Sequence, residues 1–446
     1  MTITGLLNTR YLIVGNSAGG IGAAETIRES DKSGSVTVVS DEPYPSYSRP
    51  LIAKYLARER TLEGMLFRPL QFYAQSNITP LLGKRVRSLG LEEHIAELES
   101  GERIPWEKLL IATGGMPIIP KVRGIEKKGV FNFFTLDDAK AIDEFLDNDS
   151  KAIVIGGGLI GVSAAEALIK RGAEVTVVEM KERILNTILD DEASSRVEAA
   201  LRKAGVRVIT GHTVGEVMGN EQVTGVILDN GEKIPCGLVI VAIGVLPRIK
   251  LVHGSGIKVN RGILVDRSMV TNHPDVYACG DAAEAYDFIY GANRLTAIWP
   301  NAYIGGRTAG QNMAGVKAEY PGGTAINSLN YFGLDIAAAG IVVPSDSNGY
   351  ELMSKQNGDV YQKLVLKDNL IVGMIYVSDV EKSGIIFGLM RDRVNVGDFK
   401  QSLLAEDFGL ISLPRELRQK WLGTPPVQQI SQLASKVETE EDFAGE

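Results

Sequence analysis

Two glycine clusters hold the residues whose types and spacing could do chemistry. Gly156-x-Gly158-x-x-Gly161 has the spacing of a dinucleotide-binding loop. In such a loop the first glycine permits a tight turn and the second lets a pyrophosphate approach the backbone. The third lets a helix pack on the preceding strand. The amides and dipole of that helix, opened here by Leu159 and Ile160, then meet the phosphate charge. Glu179 follows at close to the ~20-residue distance at which an acid binds a ribose 2′-hydroxyl. A carboxylate there repels a 2′-phosphate, so NAD(H) is favoured over NADP(H), with the nearby Arg183 working against that preference. The other cluster is Gly15-Asn16-Ser17-Ala18-Gly19-Gly20. It keeps the first and third glycines and has Ser17, still small, in the middle. Its ribose acid is Asp41 or Glu42.

Other chemistries are thinly supported. His94, His212, His253 and His273 show no metal-ligand spacing, and two cysteines are too few for a cysteine-ligated zinc or iron–sulfur site, so no metal is expected. Cys236 and Cys279 lie in apolar runs and read as buried structural thiols. With 47 Lys and Arg against 55 Asp and Glu, the net charge of −8 disfavours nucleic acid and anionic membranes. No stretch approaches ~18 uninterrupted apolar residues, so no transmembrane helix is expected. The N-terminus lacks the features of a signal peptide, and the expected location is cytoplasmic.

The elements that position these residues repeat. Each glycine cluster follows a β-branched run (Tyr11–Val14, Ala152–Ile155) and opens an Ala-rich helix. Each helix leads to a second apolar run, Val36–Ser40 or Val175–Val178. Both read as βαβ units of a parallel sheet. Two further strand-to-turn segments follow the same plan: Leu109–Ala112 into Thr113-Gly114-Gly115, and Leu238–Ile243 into Gly244-x-x-Pro247. Pro274–Cys279 then leads into Gly280-Asp281. From about residue 325 the pattern changes to a strand, a turn at Asp368-Asn369, a second strand and a helical stretch over 381–393. The expected fold class is α/β, with two Rossmann-like dinucleotide-binding domains and a C-terminal α+β domain. Residues 423–446 form an acidic tail, read as a solvated or docking segment.

The order of these parts resembles the two-dinucleotide-fold flavoprotein reductases of the pyridine nucleotide–disulfide oxidoreductase superfamily. The resemblance spans roughly residues 8–420. It implies a discontinuous FAD domain (1–118 and 246–325), an inserted NAD(H) domain (119–245) and an interface domain (326–422). It also implies that Val86, Ala112, Thr113, Gly114, Gly244, Gly280 and Asp281 line the cofactor sites, with Asp281 at the ribityl–phosphate region. Disulfide-type members carry redox cysteines. Here the corresponding loop, Glu42–Lys54, has none and reads Tyr47-Ser-Arg49-Pro50-x-x-x-Lys54. It is similar to the cysteine-free branch of rubredoxin reductases, oxygenase ferredoxin reductases and flavin domains of NADH-dependent nitrite reductases.

By that resemblance Arg49 neutralises the flavin pyrophosphate and Lys54 stabilises charge on the reduced flavin. Trp299 lies over the flavin edge; Lys54 and Trp299 are the catalytic candidates. One position departs from the branch: Ser163 stands where a Glu is usual. Glu166, one turn on, is expected on the helix surface. The activity implied is hydride transfer between NADH and FAD, and single-electron transfer between FAD and an iron–sulfur or rubredoxin-type protein, in either direction. Candidate docking cations are Arg58, Arg60 and the 391–400 region. Other readings stay open: an NAD-reducing subunit of a larger redox complex, an NADH oxidase, or a non-enzymatic NADH-binding interaction protein. Family members with such a third domain are often homodimers.

Overall fold

The computed structural model describes residues 9–147, 150–346 and 349–423. The acidic tail expected over 423–446 therefore lies, but for its first residue, outside the described residues.

Two sheets share one order of parallel strands, the first also carrying an antiparallel extension, Ile95–Leu98 and Val86–Gly90, beside Arg103–Ile111. The first runs Ile78–Leu82, Val36–Ser40, Thr9–Val14, Arg103–Ile111, with Val276–Ala278 pairing beside Leu109–Ile111. The second runs Arg207–Thr210, Glu174–Glu179, Lys151–Ile155, Leu238–Val241, Val130–Asn132. In each sheet the strand before the glycine loop is central and buried on both faces, which explains its unbroken β-branched run. The fifth strand differs in origin. In the first sheet it comes from far downstream, and in the second it precedes the others. The second sheet is thus threaded through the first.

Two chain segments connect the sheets, Gly115–Pro117 and Val245–Pro247. They pair antiparallel as a short ribbon, with the Ile118 amide donating to the Gly244 carbonyl at 3.0 Å. Helix Ala18–Ser30, after the first loop, lies against helix Trp299–Met313. A Cβ on Gly306 would stand 2.0 Å from the Gly19 carbonyl oxygen, so the two backbones touch where no larger residue fits. This contact sets the position of Trp299 at the start of its helix.

The C-terminal part is a five-stranded antiparallel sheet, ordered Ile326–Tyr331, Leu334–Gly340, Leu370–Val377, Val360–Lys367, Tyr350–Asn357. Asp368 and Asn369 make the expected turn with φ of 52° and 57°, and the helix spans Ser383–Arg391. One face of the sheet (Ala337, Leu364, Met374, Tyr376) covers this helix. The other (Tyr331, Ile336, Tyr361, Ile375) joins the core of the second parallel sheet. Asp190 fixes that junction: it caps helix Asp191–Lys203 and accepts from Tyr361 Oη at 2.7 Å and Lys363 Nζ at 2.8 Å, in an ion pair only 13% and 11% exposed. Among the described residues no helix is long and apolar enough to cross a membrane.

Candidate functional site

Each glycine loop is built the same way. The chain leaves its central strand at a glycine in the left-handed region, Gly15 (φ +126°) or Gly156 (φ +108°). A Cβ at these positions would lie 2.0 Å from the Ala112 oxygen or 2.4 Å from the Ala242 oxygen. The helix then packs so closely that a Cβ on Gly20 or Gly161 would sit 1.9 Å from the oxygen of Gly15 or Gly156. The middle position behaves differently: a Cβ on Gly158 would meet nothing within 4 Å. That is open space at the N-terminus of helix Leu159–Lys170, where the first amides have no intrahelical acceptor. Ser17 holds the same place before Ala18, and its hydroxyl makes no capping bond.

The acids divide by register. The Gly15 amide bonds the Val39 carbonyl, and the Gly156 amide bonds that of Val178, each at 2.8 Å. Ser40 is therefore the structural equivalent of Glu179. Glu179 is buried, and its carboxylate accepts from the amides of Gly157 (2.6 Å) and Lys181 (2.8 Å). Arg183 turns away to Asp191 at 2.7 Å. In the first unit the acids come one and two residues later. Asp41 Oδ2 accepts from Arg248 Nη1 at 2.8 Å and Arg85 Nη2 at 3.1 Å. Glu42 is committed to the Tyr47 hydroxyl (2.6 Å) and to Arg49.

Around this centre the first unit is stitched together. The Ala112 amide bonds the Val14 carbonyl, and the Thr113 hydroxyl donates to the Arg248 carbonyl at 2.7 Å. The Arg248 amide bonds the Gly114 carbonyl at 2.8 Å. Arg49 lies over the rings of Tyr47 and Phe134 and reaches the Phe134 carbonyl at 3.3 Å. Gly280 and Asp281 open a single 3-10 turn. Burial pushes the Asp281 carboxyl up, and the Arg49 charge opposes that rise. Val86 is buried in strand Val86–Gly90, next to Arg85.

Lys54 and Trp299 sit in separate clusters. Lys54 pairs with Glu59 (2.9 Å), which pairs with Lys170 (2.7 Å), which pairs with Glu166 (3.1 Å). This chain of alternating charges joins helix Ile52–Leu56 to the helix of the second loop. Glu166 is not the surface residue expected from its helix position. It is 8% exposed and accepts from the Phe332 amide of the C-terminal sheet at 3.3 Å, because the tip of hairpin 326–340 covers that helix face. Trp299 stands edge-on to Phe67, with ring centroids 5.0 Å apart, and Arg68 lies over Phe67 at 4.1 Å. Ser163 shares a 3.1 Å hydrogen bond with the Tyr331 hydroxyl, which also lies 3.1 Å from the Leu159 carbonyl.

Sequence reasoning did not single out Arg85, Arg248, Asn16 or Tyr331. Asn16 clasps the first loop to its neighbours, accepting from Tyr73 Oη at 2.8 Å and donating to the Tyr44 carbonyl at 3.3 Å. Its place inside the glycine cluster was a usable signal. The other three carry no local motif. Three of the candidate docking cations form ion pairs: Arg58 with Asp143, Arg391 with Asp392 and Lys400 with Glu351. Both cysteines are buried with thiols pushed up to about 12 by desolvation. Among the described residues no group of three or more His, Cys, Asp or Glu could hold a metal ion.

The residues fit FAD and NADH. Each loop presents free helix amides to a pyrophosphate, the second has open space over Gly158, and each has an acid at or just past the end of the following strand. Comparison with known proteins agrees. Residues 9–305 match the pyridine nucleotide-disulphide oxidoreductase model, and residues 326–394 match the rubredoxin NAD+ reductase C-terminal domain. Subunit epsilon of the NADH-dependent phenylglyoxylate dehydrogenase of Aromatoleum evansii is 31% identical, over 93% of this chain and 98% of that protein. The NADH-rubredoxin oxidoreductase of Clostridium acetobutylicum is 28% identical, over 84% and 92%. The reductase in the covalent putidaredoxin reductase–putidaredoxin complex superposes with a TM-score of 0.81 at 25% identity, covering 90% of this chain and 99% of that one. A strand order shared by two glycine-loop sheets, and a match over both, have one conclusion: the chain belongs to the pyridine nucleotide-disulphide oxidoreductase family.

Proposed function

We propose that the chain is the NAD(H)-reactive flavoprotein of an electron-transfer system whose partner carries an iron–sulfur or rubredoxin-type centre. In this reading the FAD domain comprises residues 1–118 and 246–325, the NAD(H) domain 119–245, and the C-terminal domain 326–422. Bound FAD supplies hydride acceptance from NADH and release of electrons singly. The chain's own groups bind and orient. The amides of Ala18–Gly20 hold one pyrophosphate and those of Leu159–Gly161 the other. Glu179, held by two backbone amides, presents a carboxylate that accepts ribose hydroxyls and repels a 2′-phosphate. Arg49 offsets phosphate charge while Glu42 fixes its position. Trp299 and Phe67 form an apolar wall that excludes water from the cofactor edge. For Lys54 to face the cofactor, its ammonium must leave Glu59.

The observation that carries this reading is the pair of thiols. Cys236 and Cys279 are both buried with their ionisation pushed up to about 12, so neither forms the thiolate that thiol relay needs. Electrons therefore pass from the cofactor directly to the acceptor. The test mixes NADH-reduced protein with rubredoxin, ferredoxin or oxygen in turn. Reoxidation by an iron–sulfur protein or rubredoxin at least tenfold faster than by oxygen supports the proposal; oxygen as the fastest acceptor refutes it.

A second reading is favoured by the nearly full-length match to a dehydrogenase subunit. In it the chain works as the NAD-reducing subunit of a complex, and electrons run from an iron–sulfur subunit to NAD. Co-purification of the native protein with an iron–sulfur protein separates the two. Either reading has its NADH supply in the cytoplasm.

A further inference from the structure

We propose that Arg248 is a positioning residue for the ADP half of FAD, fixing Asp41 so that its free carboxylate oxygen receives the ribose hydroxyls. The inference rests on the reading that FAD occupies the first glycine loop.

The geometry is specific. Both guanidinium contacts to Asp41 fall on Oδ2, at 2.8 Å from Arg248 and 3.1 Å from Arg85. Oδ1 has no hydrogen-bond partner among the described residues. Asp41 lies one residue past the strand whose end, in the second sheet, carries Glu179. It is therefore the acid nearest to where a ribose must lie. Glu42 lies one residue further on, and its carboxylate is bound by the side chains of Tyr47 and Arg49.

Arg248 is the firmer of the two arginines. Arg85 is 59% exposed and also lies 3.7 Å from Glu99. Arg248 is held at both ends of its own peptide, its amide on the Gly114 carbonyl and its carbonyl on the Thr113 hydroxyl. Those residues follow Ala112, whose oxygen is the atom a Cβ on Gly15 would strike. One residue thus ties the first glycine loop, the Thr113-Gly114 turn and the ribose acid into a rigid unit. A bare carboxylate beside a pyrophosphate would repel it. Two guanidiniums on that carboxylate turn the local charge positive without consuming Oδ1.

Arg248 also lies 207 residues from Asp41 in the chain, beyond the second sheet. The ADP half is then gripped only when both connections to the second sheet are in place.

The test is FAD binding to the full chain after its flavin has been stripped. R248Q is expected to weaken FAD about tenfold, as loss of a charge-assisted contact would. R248K should recover part of that loss. D41N should match R248Q, and the double variant should be no weaker than the worse single variant. An FAD analogue with a 2′,3′-dideoxyadenosine should bind R248Q and wild type equally. Unchanged FAD binding by R248Q overturns the inference, as do multiplying losses in the double variant. So does an equal loss for the analogue, which would place the guanidinium on phosphate. Thermal unfolding of the stripped proteins confirms that each variant is folded. These outcomes are read with wild-type protein that binds FAD; wild type that fails to bind it would refute the underlying reading instead.

Discussion

Replacing Gly158 with Ala separates cofactor geometry from folding. Gly158 has φ −81° and ψ −172°, extended backbone that any residue adopts, and a Cβ there meets no atom within 4 Å. As a helix N-cap, Ala is worse than Gly by at most about 1 kcal/mol, so G158A folds with nearly wild-type stability. The new methyl nonetheless occupies the approach of the pyrophosphate. Inserting a methyl into a packed contact costs about 1–3 kcal/mol, which weakens binding about 5- to 150-fold. Ser17 carries both a Cβ and a hydroxyl at the same place in the first loop, so a dinucleotide can be held slightly farther out. That argues for the low end, about tenfold. G161A is the control: its Cβ would stand 1.9 Å from the Gly156 oxygen, so it should unfold at distinctly lower denaturant. The assay is anaerobic reduction of bound flavin against NADH concentration, alongside denaturant unfolding. An unchanged NADH dependence in G158A, or destabilisation equal to that of G161A, would refute the reasoning.

K363M leaves Asp190 buried without its cation and should cost about 3–5 kcal/mol in denaturant unfolding. The Lys363 ammonium and the Tyr361 hydroxyl outweigh burial and hold the Asp190 carboxyl below the ordinary carboxylate range. Its contribution is thus present above about pH 4 and is lost as pH falls further. The acid-induced loss of stability should be smaller in K363M; an equal loss would contradict the assignment. Y331F removes the hydroxyl beside Leu159 and Ser163, worth about 1 kcal/mol, and should raise the KM for NADH about fivefold with little change in kcat. Iodoacetamide at pH 8 should leave both cysteines unlabelled in native protein, and C236A and C279A should keep NADH-driven flavin reduction; rapid labelling or lost reduction would revive a thiol relay.

How far the sequence could be read depended on how local each constraint was. The glycine loops were legible because turn, helix entry and strand lie within a few residues, and backbone collisions leave little choice of side chain. The hairpin at Asp368-Asn369 was legible for the same reason. How Asp41 and Glu42 are held was not legible, since it depends on Arg85 and Arg248 for the one and on Tyr47 and Arg49 for the other. Glu166 looked like a surface residue because nothing near it in the sequence announces the hairpin that covers it. Lys54 followed a family pattern, but its partner is Glu59, five residues on, and the ion chain beyond depends on how two helices pack. The attachment of the C-terminal sheet through Asp190, Tyr361 and Lys363 is likewise a property of tertiary packing.

The central claim is that this chain takes electrons from NADH onto bound FAD, with Glu179 choosing the nucleotide. Anaerobic stopped-flow absorbance of the flavin-loaded protein, titrated with NADH and then NADPH, tests it most directly. NADH should bleach the flavin band at concentrations at least tenfold lower than NADPH, and E179Q should narrow the difference. A protein that binds no FAD, or whose flavin neither nucleotide bleaches, would contradict it.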